Sequence, residues 1–489
     1  MHVRTFSRFW SIGLAFCLWS CQAGTSSESA PDKASESPNV VFILVDDMGY
    51  GDLSCYGQET LQTPRIDEMA QLGMKFTQHY AGATVCSPSR AALMTGLHTG
   101  HTPIRGNKPD GQLIPEARTT LAEVFKQAGY RTAFFGKWGI GHPPLPNDPA
   151  IHGFDEAYGY INMWHAHNCY PEFLYHNGEK SPLPGNKLPS PNPWAHMPEG
   201  TGIAEVKETF APFEFRDRAL DFMEESKDDP FFIYLALNIP HANNEGKNDG
   251  MEVPSFGPYE GKDWPKQEKG FAAMMDIIDG TVGDVLDQLE TLGLAENTLV
   301  IFASDNGPHE EGGHKADFFD SNGPLRGTKR DLYEGGIRIP MIAYWPGTIA
   351  ANTQSDHVSA FWDFLPTACE LTGQSIPQGI DGISMVPTFK GMPEQQAEHP
   401  YMYWEFYELG GRQAVRKDQW KLVKLNVRDS QTPVITELYD LSQDLGETRD
   451  VSAEHPEIVE ELSALIEEAH TPIPLVSLFE NNVNTETPF

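Results

Sequence analysis

Four apolar runs that end in polar residues constrain the fold of this chain more than any other feature. Each run is continuous rather than alternating, which is typical of strands buried on both faces of a parallel sheet. Ligands bind at the carboxyl ends of the strands in open α/β sheets, so the residues after the runs mark a candidate site. The runs and the residues that follow them are Val40 to Val45 before Asp46 and Asp47, Thr132 to Phe135 before Lys137, Phe231 to Leu237 before His241, and Thr298 to Ala303 before Asp305 and Asn306.

Amphipathic segments alternate with these runs. Apolar residues recur at helical spacing from about Thr120 to Ala128, from Phe213 to Glu225 and from about Lys266 to Leu292. The alternation predicts an α/β fold with a doubly wound, mostly parallel sheet. After about residue 385, alternating strands in Ala414 to Leu425 and an amphipathic helix around Ile458 to Ile466 predict a smaller C-terminal α+β subdomain.

A cysteine motif, Cys86-Ser87-Pro88-Ser89-Arg90, lies between the first two runs and continues as Ala-Ala-Leu-Met-Thr-Gly. Proline and small polar residues place Cys86 at the entrance of a short helix. Free backbone N–H groups and the helix dipole make this position electropositive, which favours an anion or a nucleophile that attacks one. A lone cysteine before a helix is most often only a buried apolar residue, so the surrounding motif decides the interpretation.

The spacing Cys-x-Pro-x-Arg with its extension resembles the signature of the formylglycine-dependent (type I, family S1) sulfatases of the alkaline-phosphatase superfamily. The resemblance continues in motif order from Asn39 to about His470. It implies an alkaline-phosphatase-like fold and oxidation of Cys86 to formylglycine by a formylglycine-generating maturation enzyme. The hydrated aldehyde would be the nucleophile that attacks sulfur, so we interpret Cys86 as a precursor rather than as a thiol nucleophile.

Asp46, Asp47, Asp305 and Asn306 offer only oxygen ligands, which suit calcium or magnesium rather than zinc. Taken alone, such Asp-Asp and Asp-Asn-Gly strings are explained as well by turns and helix caps. The resemblance implies that the four side chains, with Cys86 as formylglycine, hold one calcium ion that acts on the sulfate as a Lewis acid.

A cationic shell around the sulfate is the second implication of the resemblance. Lys329 lies in a segment, Gly327 to Pro340, that resembles the late sulfatase segment whose lysine contacts the sulfate. Arg90 and Lys137 would hold the hydrated aldehyde, and His241 would contact the sulfate or its leaving oxygen. Without the motif, each of these lysines and arginines would be interpreted as a solvated surface charge.

The chain departs from the family at Gly139, where many members have a histidine that helps to release sulfate from the aldehyde. Four residues remain alternatives for that role: His142, His165, His167 and Asp305.

An insertion rich in rings and hydrogen-bonding groups, Asn162 to Tyr175, is typical of surfaces that bind sugars. The residues that we expect to bind substrate are His165, His167, His309, His314 and Arg326, with Glu310 beside them. For each one alone, surface-loop chemistry without a function explains the residue equally well.

The charge of the chain limits its partners. With 35 Lys and Arg against 69 Asp and Glu, the formal net charge is −34, which argues against nucleic acid or anionic lipid as a partner. An anionic substrate therefore requires a local positive pocket. The six cysteines contain neither a disulfide framework nor a zinc-binding Cys-x-x-Cys.

The N-terminus is typical of an exported protein. Arg4 and Arg8 precede the apolar run Phe9 to Trp19, which is too short for a transmembrane helix. The following Leu-Trp-Ser-Cys resembles a bacterial lipobox and predicts lipidation of Cys21, with an ordinary cleaved signal peptide as the alternative. We expect a lipoprotein in the periplasm or at the cell surface that meets the membrane only through its lipid anchor.

Five segments follow from these patterns. They are a signal peptide (1–20), a flexible tether (21–38), a sulfatase catalytic domain (39–385), a C-terminal subdomain of antiparallel sheet and helix (386–470) and a tail (471–489).

The resemblance and the exported, aromatic character of the chain predict a sulfatase that removes sulfate from a carbohydrate. Two alternatives remain open at this point. One is a phosphomonoester or phosphonate-ester hydrolase of the same superfamily, and the other is a non-catalytic lipoprotein that binds sulfated glycans.

Overall fold

The computed structural model describes residues 37–107, 114–115, 118–140 and 148–472. The predicted signal peptide, Cys21 and His142 lie outside these ranges. None of the helices within the ranges combines the length and apolarity that a membrane crossing requires.

The strands of these ranges are β1 (Asn39–Asp46), β2 (Met74–Tyr80), β3 (Arg131–Lys137), β4 (Glu156–Tyr160), β5 (Phe173–His176), β6 (Glu179–Pro182), β7 (Phe231–Pro240), β8 (Thr298–Ser304), β9 (Arg338–Tyr344), β10 (Thr353–Ser355), β11 (Ser359–Ala360), β12 (Met402–Phe406), β13 (Arg412–Lys417), β14 (Trp420–Leu425) and β15 (Ile435–Asp440). The α-helices are α1 (Pro64–Leu72), α2 (Cys86–Thr95), α3 (Leu121–Gln127), α4 (Ala211–Glu225), α5 (Lys266–Thr291), α6 (Ala316–Phe319), α7 (Glu334–Ile337), α8 (Phe364–Thr372), α9 (Val386–Phe389) and α10 (Pro456–Ala469). Short 3-10 turns complete the set: Ser54–Tyr56, Pro149–His152, His165–His167, Asn244–Asp249, Gly257–Tyr259, Ala295–Asn297, Phe361–Asp363 and Pro393–Gln395.

The large sheet has the strand order β10-β2-β9-β8-β1-β7-β3-β4-β5-β6, with β11 also paired to β2. Its centre, from β8 to β4, is parallel, whereas β9 and the β5–β6 hairpin join it in antiparallel orientation. Helices α4 and α5 bury one face, and α3 and α8 bury the other. The predicted doubly wound, mostly parallel α/β fold is confirmed.

The predicted helix near Thr120 shows how the sequence sets an element boundary. Thr120 and Glu123 form a capping box, in which Glu123 N donates to Thr120 Oγ1 (3.2 Å) and Thr120 N donates to Glu123 Oε2 (2.9 Å). This arrangement satisfies two free N–H groups at the start of α3. The helix then packs beside β3, the strand that ends in Lys137.

A second, antiparallel sheet has the order β12-β13-β14-β15, and α10 covers one of its faces. Its other face packs against the segment that contains α7. Glu334, at the start of α7, is fully buried there and accepts hydrogen bonds from Tyr80 Oη (2.6 Å) and Lys421 Nζ (2.9 Å). Lys421 also contacts Glu447 Oε1 at 3.0 Å. Buried charges therefore join the small sheet to the segment that follows Lys329.

Removing the charge of Lys421 is expected to destabilise this junction. Lys421→Met keeps the length of the side chain but leaves Glu334 and Glu447 buried without their shared cation, at a cost of about 3–5 kcal/mol. Chemical denaturation measures the loss. The control is Lys417→Met, at a position on the same sheet. It removes a solvent-exposed ion pair between Lys417 and Glu461 of α10. Equal stability of the two variants would contradict the proposed contribution of the buried network.

Candidate active site

Four strand ends meet at one edge of the large sheet. β8, β1, β7 and β3 are neighbours in that order and run parallel, so their carboxyl ends face the same side. Asp46 ends β1, Lys137 ends β3, His241 follows β7 and Asp305 follows β8. The residues that the sequence placed after four separate runs therefore lie together.

Three buried carboxylates form the centre of the site, and a cation donates a hydrogen bond to each of them. All six side chains are almost completely buried, so each ion pair is shielded from water. The pairs are Lys137 Nζ with Asp46 Oδ2 (2.6 Å), Lys329 Nζ with Asp47 Oδ2 (2.7 Å), and Arg90 Nε and Nη2 with Asp305 Oδ2 (2.9 Å each).

Crowding of the carboxylates is visible in their pKa values. Burial alone would raise the pKa of Asp46, but the charges of Lys137 and Arg90 hold it far below its usual range. Burial and the neighbouring Asp46 carboxylate raise the pKa of Asp305 to about 7. Like charges in one dry site oppose each other's ionisation, and a divalent cation between them would relieve this repulsion.

Two buried oxygens of the cluster have no hydrogen-bond donor among the described residues. They are Asp46 Oδ1 and Asn306 Oδ1. Asn306 Nδ2 donates to Asp47 Oδ1 (2.7 Å) and to the carbonyl of Gly307 (2.9 Å), which fixes the amide so that its oxygen is the unpaired atom. Carboxylate and amide oxygens that lack donors are suitable ligands for a hard cation, so the predicted calcium ligands fit such an ion.

Cys86 is the first residue of α2, and its side chain is buried beside this cluster. Its Sγ and one oxygen each of Asp46 and Asp47 lie within 4.8 Å of one another. Burial raises the pKa of the Cys86 thiol, which disfavours a thiolate nucleophile. Asn107 Nδ2 lies 3.6 Å from Sγ, a contact that the sequence analysis missed.

Lys329 contacts a second acidic residue besides Asp47. Its Nζ donates to Glu311 Oε2 (3.0 Å) and lies 3.1 Å from His241 Nε2. Burial alone would raise the pKa of Glu311, but the Lys329 ammonium holds it well below its usual range. Glu311 also binds Arg330 Nη2 through Oε1 at 2.7 Å. The sequence analysis named the neighbouring Glu310 instead, whose side chain points to solvent.

The tautomer of His241 follows from its two contacts. Nδ1 donates to the carbonyl of Ala242 (2.6 Å), so Nε2 is the acceptor that faces Lys329. Burial lowers the pKa of His241 to about 3, and the Lys329 charge adds to the effect. The ring is therefore neutral, so Nε2 can accept a hydrogen bond from the Lys329 ammonium.

His167 packs on His241. The two rings are parallel, with centroids 4.8 Å apart and an interplanar angle of 13°. Nδ1 of His167 faces the Glu245 carboxylate at 3.3 Å. The structure thus brings one residue of the predicted substrate-binding set directly against the predicted catalytic histidine.

The other four residues of that set make contacts within the protein, and a substrate-binding role for each of them stays a prediction. His165 is fully buried and packs edge-on against Tyr160 at a centroid distance of 5.0 Å. The remaining contacts are His309 Nε2 with the Pro240 carbonyl (3.0 Å), His314 Nδ1 with Glu268 Oε2 (2.6 Å), and Arg326 Nη1 with Tyr439 Oη (2.9 Å) and the Glu447 carbonyl (2.7 Å). These contacts hold the walls of the pocket and the second sheet in place.

The aromatic insertion is mostly interior, which corrects the prediction of a sugar-binding surface. Trp164 and Tyr170 are 7% and 4% exposed, respectively. Asn162 Oδ1 accepts from Trp164 N (2.8 Å), and Asn238 Nδ2 donates to the Ala166 carbonyl (2.8 Å). Tyr170 extends the core beside β4, together with Ala166 and Cys169 of the same segment.

Known proteins resemble this chain over most of its length. The sulfatase family model matches residues 38–374, and the model described as N-sulphoglucosamine sulphohydrolase, C-terminal, matches residues 327–471. The human N-acetylgalactosamine-6-sulfatase is 31% identical over 398 residues, which cover 76% of this chain and 69% of that protein. The Bacteroides thetaiotaomicron N-acetylgalactosamine-6-O-sulfatase is 29% identical over 514 residues and covers 89% of this chain and 94% of its own.

Solved structures share the fold. Ps i-CgsB in complex with k-i-k-neocarrahexaose superposes with a TM-score of 0.72 at 26% identity, over 88% of this chain and 92% of that one. The phosphonate monoester hydrolase of Agrobacterium radiobacter, at 20% identity and a TM-score of 0.61, has a similar fold over 88% of this chain and 95% of its own. With the family model matched across the whole acidic and cationic cluster, this protein belongs to the sulfatases, the sulfuric ester hydrolases.

Proposed function

We propose that the protein removes sulfate from a sulfated carbohydrate, with Cys86 matured to formylglycine and one calcium ion at Asp46, Asp47, Asp305 and Asn306. The observation that carries the proposal is a pair of buried oxygens without a hydrogen-bond donor among the described residues, Asp46 Oδ1 and Asn306 Oδ1, in a cluster that also contains Cys86. The nearest cation to Asp46 Oδ1 is Arg90 Nη2 at 3.6 Å. An enclosed acidic centre ringed by three cations is suited to bind a cation and an anion together.

The residues around Cys86 fit both absent groups. Formylglycine supplies a hydroxyl nucleophile, and calcium supplies Lewis-acid polarisation of a sulfate oxygen. Residue 86 lies at the start of a ten-residue helix, where free N–H groups favour negative charge. A maturation enzyme is therefore a required partner of this chain under the proposal.

The chain's own cations bind and orient the sulfate. Lys137 and Lys329 carry their charges into the site, where Asp46 and Asp47 hold them. Arg90 is locked by Asp305 and by the Lys137 carbonyl, so its guanidinium is fixed before substrate arrives. Charges that are preorganised in this way stabilise the additional negative charge of the transition state. Burial alone would lower the pKa of Lys329, but Asp47 and Glu311 raise it. The Lys329 ammonium lies next to His241 and carries a proton toward the leaving oxygen.

A carbohydrate substrate is supported by the relatives and by the pocket. The curated relatives described above are named for sulfated N-acetylgalactosamine, and the structural relative holds a carrageenan-type oligosaccharide. His167 and Glu245 offer a donor–acceptor pair next to His241, which suits a sugar hydroxyl.

We also propose export of the protein and lipidation of Cys21. The Arg-containing, apolar N-terminal segment supports export, and the Leu-Trp-Ser-Cys string supports the anchor. The net charge of −34 supports the absence of nucleic acid as a partner.

Matched sulfate and phosphate esters test the reaction class. We expect protein with formylglycine at position 86 to hydrolyse 4-nitrophenyl sulfate with a higher kcat/KM than 4-nitrophenyl phosphate. The reason is that the cationic shell matches the single negative charge of the sulfate ester. Cys86→Ala should lack this activity. Preference for the phosphate, or binding of sulfated sugars without turnover, would contradict the proposal.

Calcium binding has a readout that is independent of turnover. Thermal unfolding should occur at higher temperature with calcium than with a chelator, since an ion present at a hundredfold excess over Kd stabilises the fold by about 2.7 kcal/mol. Asp46→Asn should remove the shift. The control is Asp381→Asn in a separate cluster with His98 and His101, and it should retain the shift. A shift that persists in Asp46→Asn but not in Asp381→Asn would place the ion elsewhere.

His167→Asn tests the contact with the sugar. We expect kcat/KM for a sulfated monosaccharide to fall about tenfold, as for one lost hydrogen bond, with little change for 4-nitrophenyl sulfate, which has no sugar hydroxyls. His176→Asn, at an exposed position on β5, is the matched control. A parallel loss on both substrates would show that His167 acts only by supporting His241.

A further inference from the structure

We propose that Asn107 is a catalytic residue of this site, whose side-chain amide donates a hydrogen bond to the reacting atoms of residue 86. The inference rests on the proposed function, because it concerns the group that Cys86 becomes. Its starting point is the contact of Asn107 Nδ2 with Cys86 Sγ at 3.6 Å. An oxygen attached to the same Cβ would occupy the position of the sulfur and receive the same donor.

The orientation of the amide is fixed by the backbone. Ser87 N is a donor and lies 3.1 Å from Asn107 Oδ1, so the oxygen of the amide must face Ser87. The NH₂ group is then directed at residue 86. The hydrogen bond from Ser87 N decides which end of the amide is the oxygen, because the reversed amide would place two N–H donors against each other.

The loop that carries Asn107 is anchored to the second sheet. Asn107 N donates to Glu408 Oε1 (3.1 Å), just beyond β12. Two residues earlier, Arg105 is fully buried and donates through Nη1 to Glu405 Oε1 (2.5 Å), within β12. Arg105 Nε also closes the loop on the Thr102 carbonyl at 2.7 Å. The donor is therefore held by the contacts of Arg105 and of the Asn107 backbone before any substrate binds, as electrostatic catalysis requires.

The other groups next to residue 86 leave Asn107 as the hydrogen-bond donor to its side chain. Gly139 contributes no side chain, has a φ of +73°, and a Cβ there would lie 3.4 Å from both Arg90 Cδ and Lys137 Cε. Ser87 Oγ donates to the Gly139 carbonyl and is thereby engaged. The nearest lysines are held by Asp46 and Asp47.

The chemistry of an amide defines the role. A carboxamide does not take up a proton at neutral pH, so Asn107 serves as a donor that stabilises negative charge on a residue-86 oxygen rather than as a base. Loss of one preorganised donor of this type lowers kcat by about 100-fold or more. Because the effect acts on the nucleophile, it should be the same for every leaving group.

Two variants of matured protein test the role. Asn107→Ala removes the side chain, and Asn107→Asp keeps the acceptor for Ser87 N but replaces the donor by a carboxylate oxygen. We expect both to lower kcat about 100-fold on aryl and sugar sulfates alike, after correction for the measured fraction of formylglycine. The matched control is Asn177→Asp, a hairpin residue whose Oδ1 accepts from Ala157 N at 2.8 Å and which should behave as wild type. Wild-type kcat in Asn107→Asp would overturn the proposal.

A second measurement, the rate at which a probe labels the residue-86 aldehyde, does not require turnover. An aminooxy probe captures the free aldehyde, so Asn107→Ala, which loses the donor to a hydrate oxygen, should be labelled faster than wild type. Equal labelling rates in folded protein, judged by an unchanged unfolding transition, would contradict a contact between the two residues.

Unmatured protein separates this inference from the proposed function. If the wild-type protein forms no formylglycine, the proposed function fails. The contact between Asn107 and residue 86 is then tested on the Cys86 thiol itself. Asn107→Ala should speed alkylation of Cys86, because it removes the amide that lies 3.6 Å from Sγ. Site-resolved mass spectrometry distinguishes Cys86 from Cys55, Cys169 and Cys369. An unchanged rate would show that residue 107 does not contact residue 86.

Discussion

The ion pairs between three buried carboxylates and three buried cations determine the arrangement of the site. One pair joins two strand ends, one joins α2 to a strand end, and one joins a late loop to a strand end, so the pairs also join distant parts of the chain. Removing any single member would leave an uncompensated charge in a dry environment. The parallel register of β8, β1, β7 and β3 brings these groups together, because it aligns four carboxyl ends along one edge.

The second sheet contributes to the site at a distance. Through Lys421 and Glu334 it holds α7 and the segment after Lys329, and through Glu405 and Glu408 it holds the loop of Asn107. The cationic wall and the group beside residue 86 are thus positioned by one rigid sheet. Such support explains how two loops maintain the geometry that preorganised charges require.

Much of this arrangement could be predicted from the sequence, because the strands next to the site are continuous apolar runs that end in polar residues. Asp46, Lys137, His241 and Asp305 follow directly from that pattern. Strand β2 was missed, since Met74 to Tyr80 contains polar residues that alternate irregularly with apolar ones. The burial of His165 could not be predicted, because it depends on the packing of its ring against Tyr160.

The sequence around Asn107 and Glu311 did not indicate that these residues lie at the site. Each is brought to the site by a loop whose path depends on tertiary contacts, namely Arg105 with β12 and Lys329 with Glu311. Lone polar residues in loops are too common to be identified by type or spacing. The most direct test of the account is the mass of the proteolytic peptide that contains residue 86, taken from protein that hydrolyses a sulfate ester. The account predicts the mass of formylglycine, and an intact thiol in active protein would contradict it.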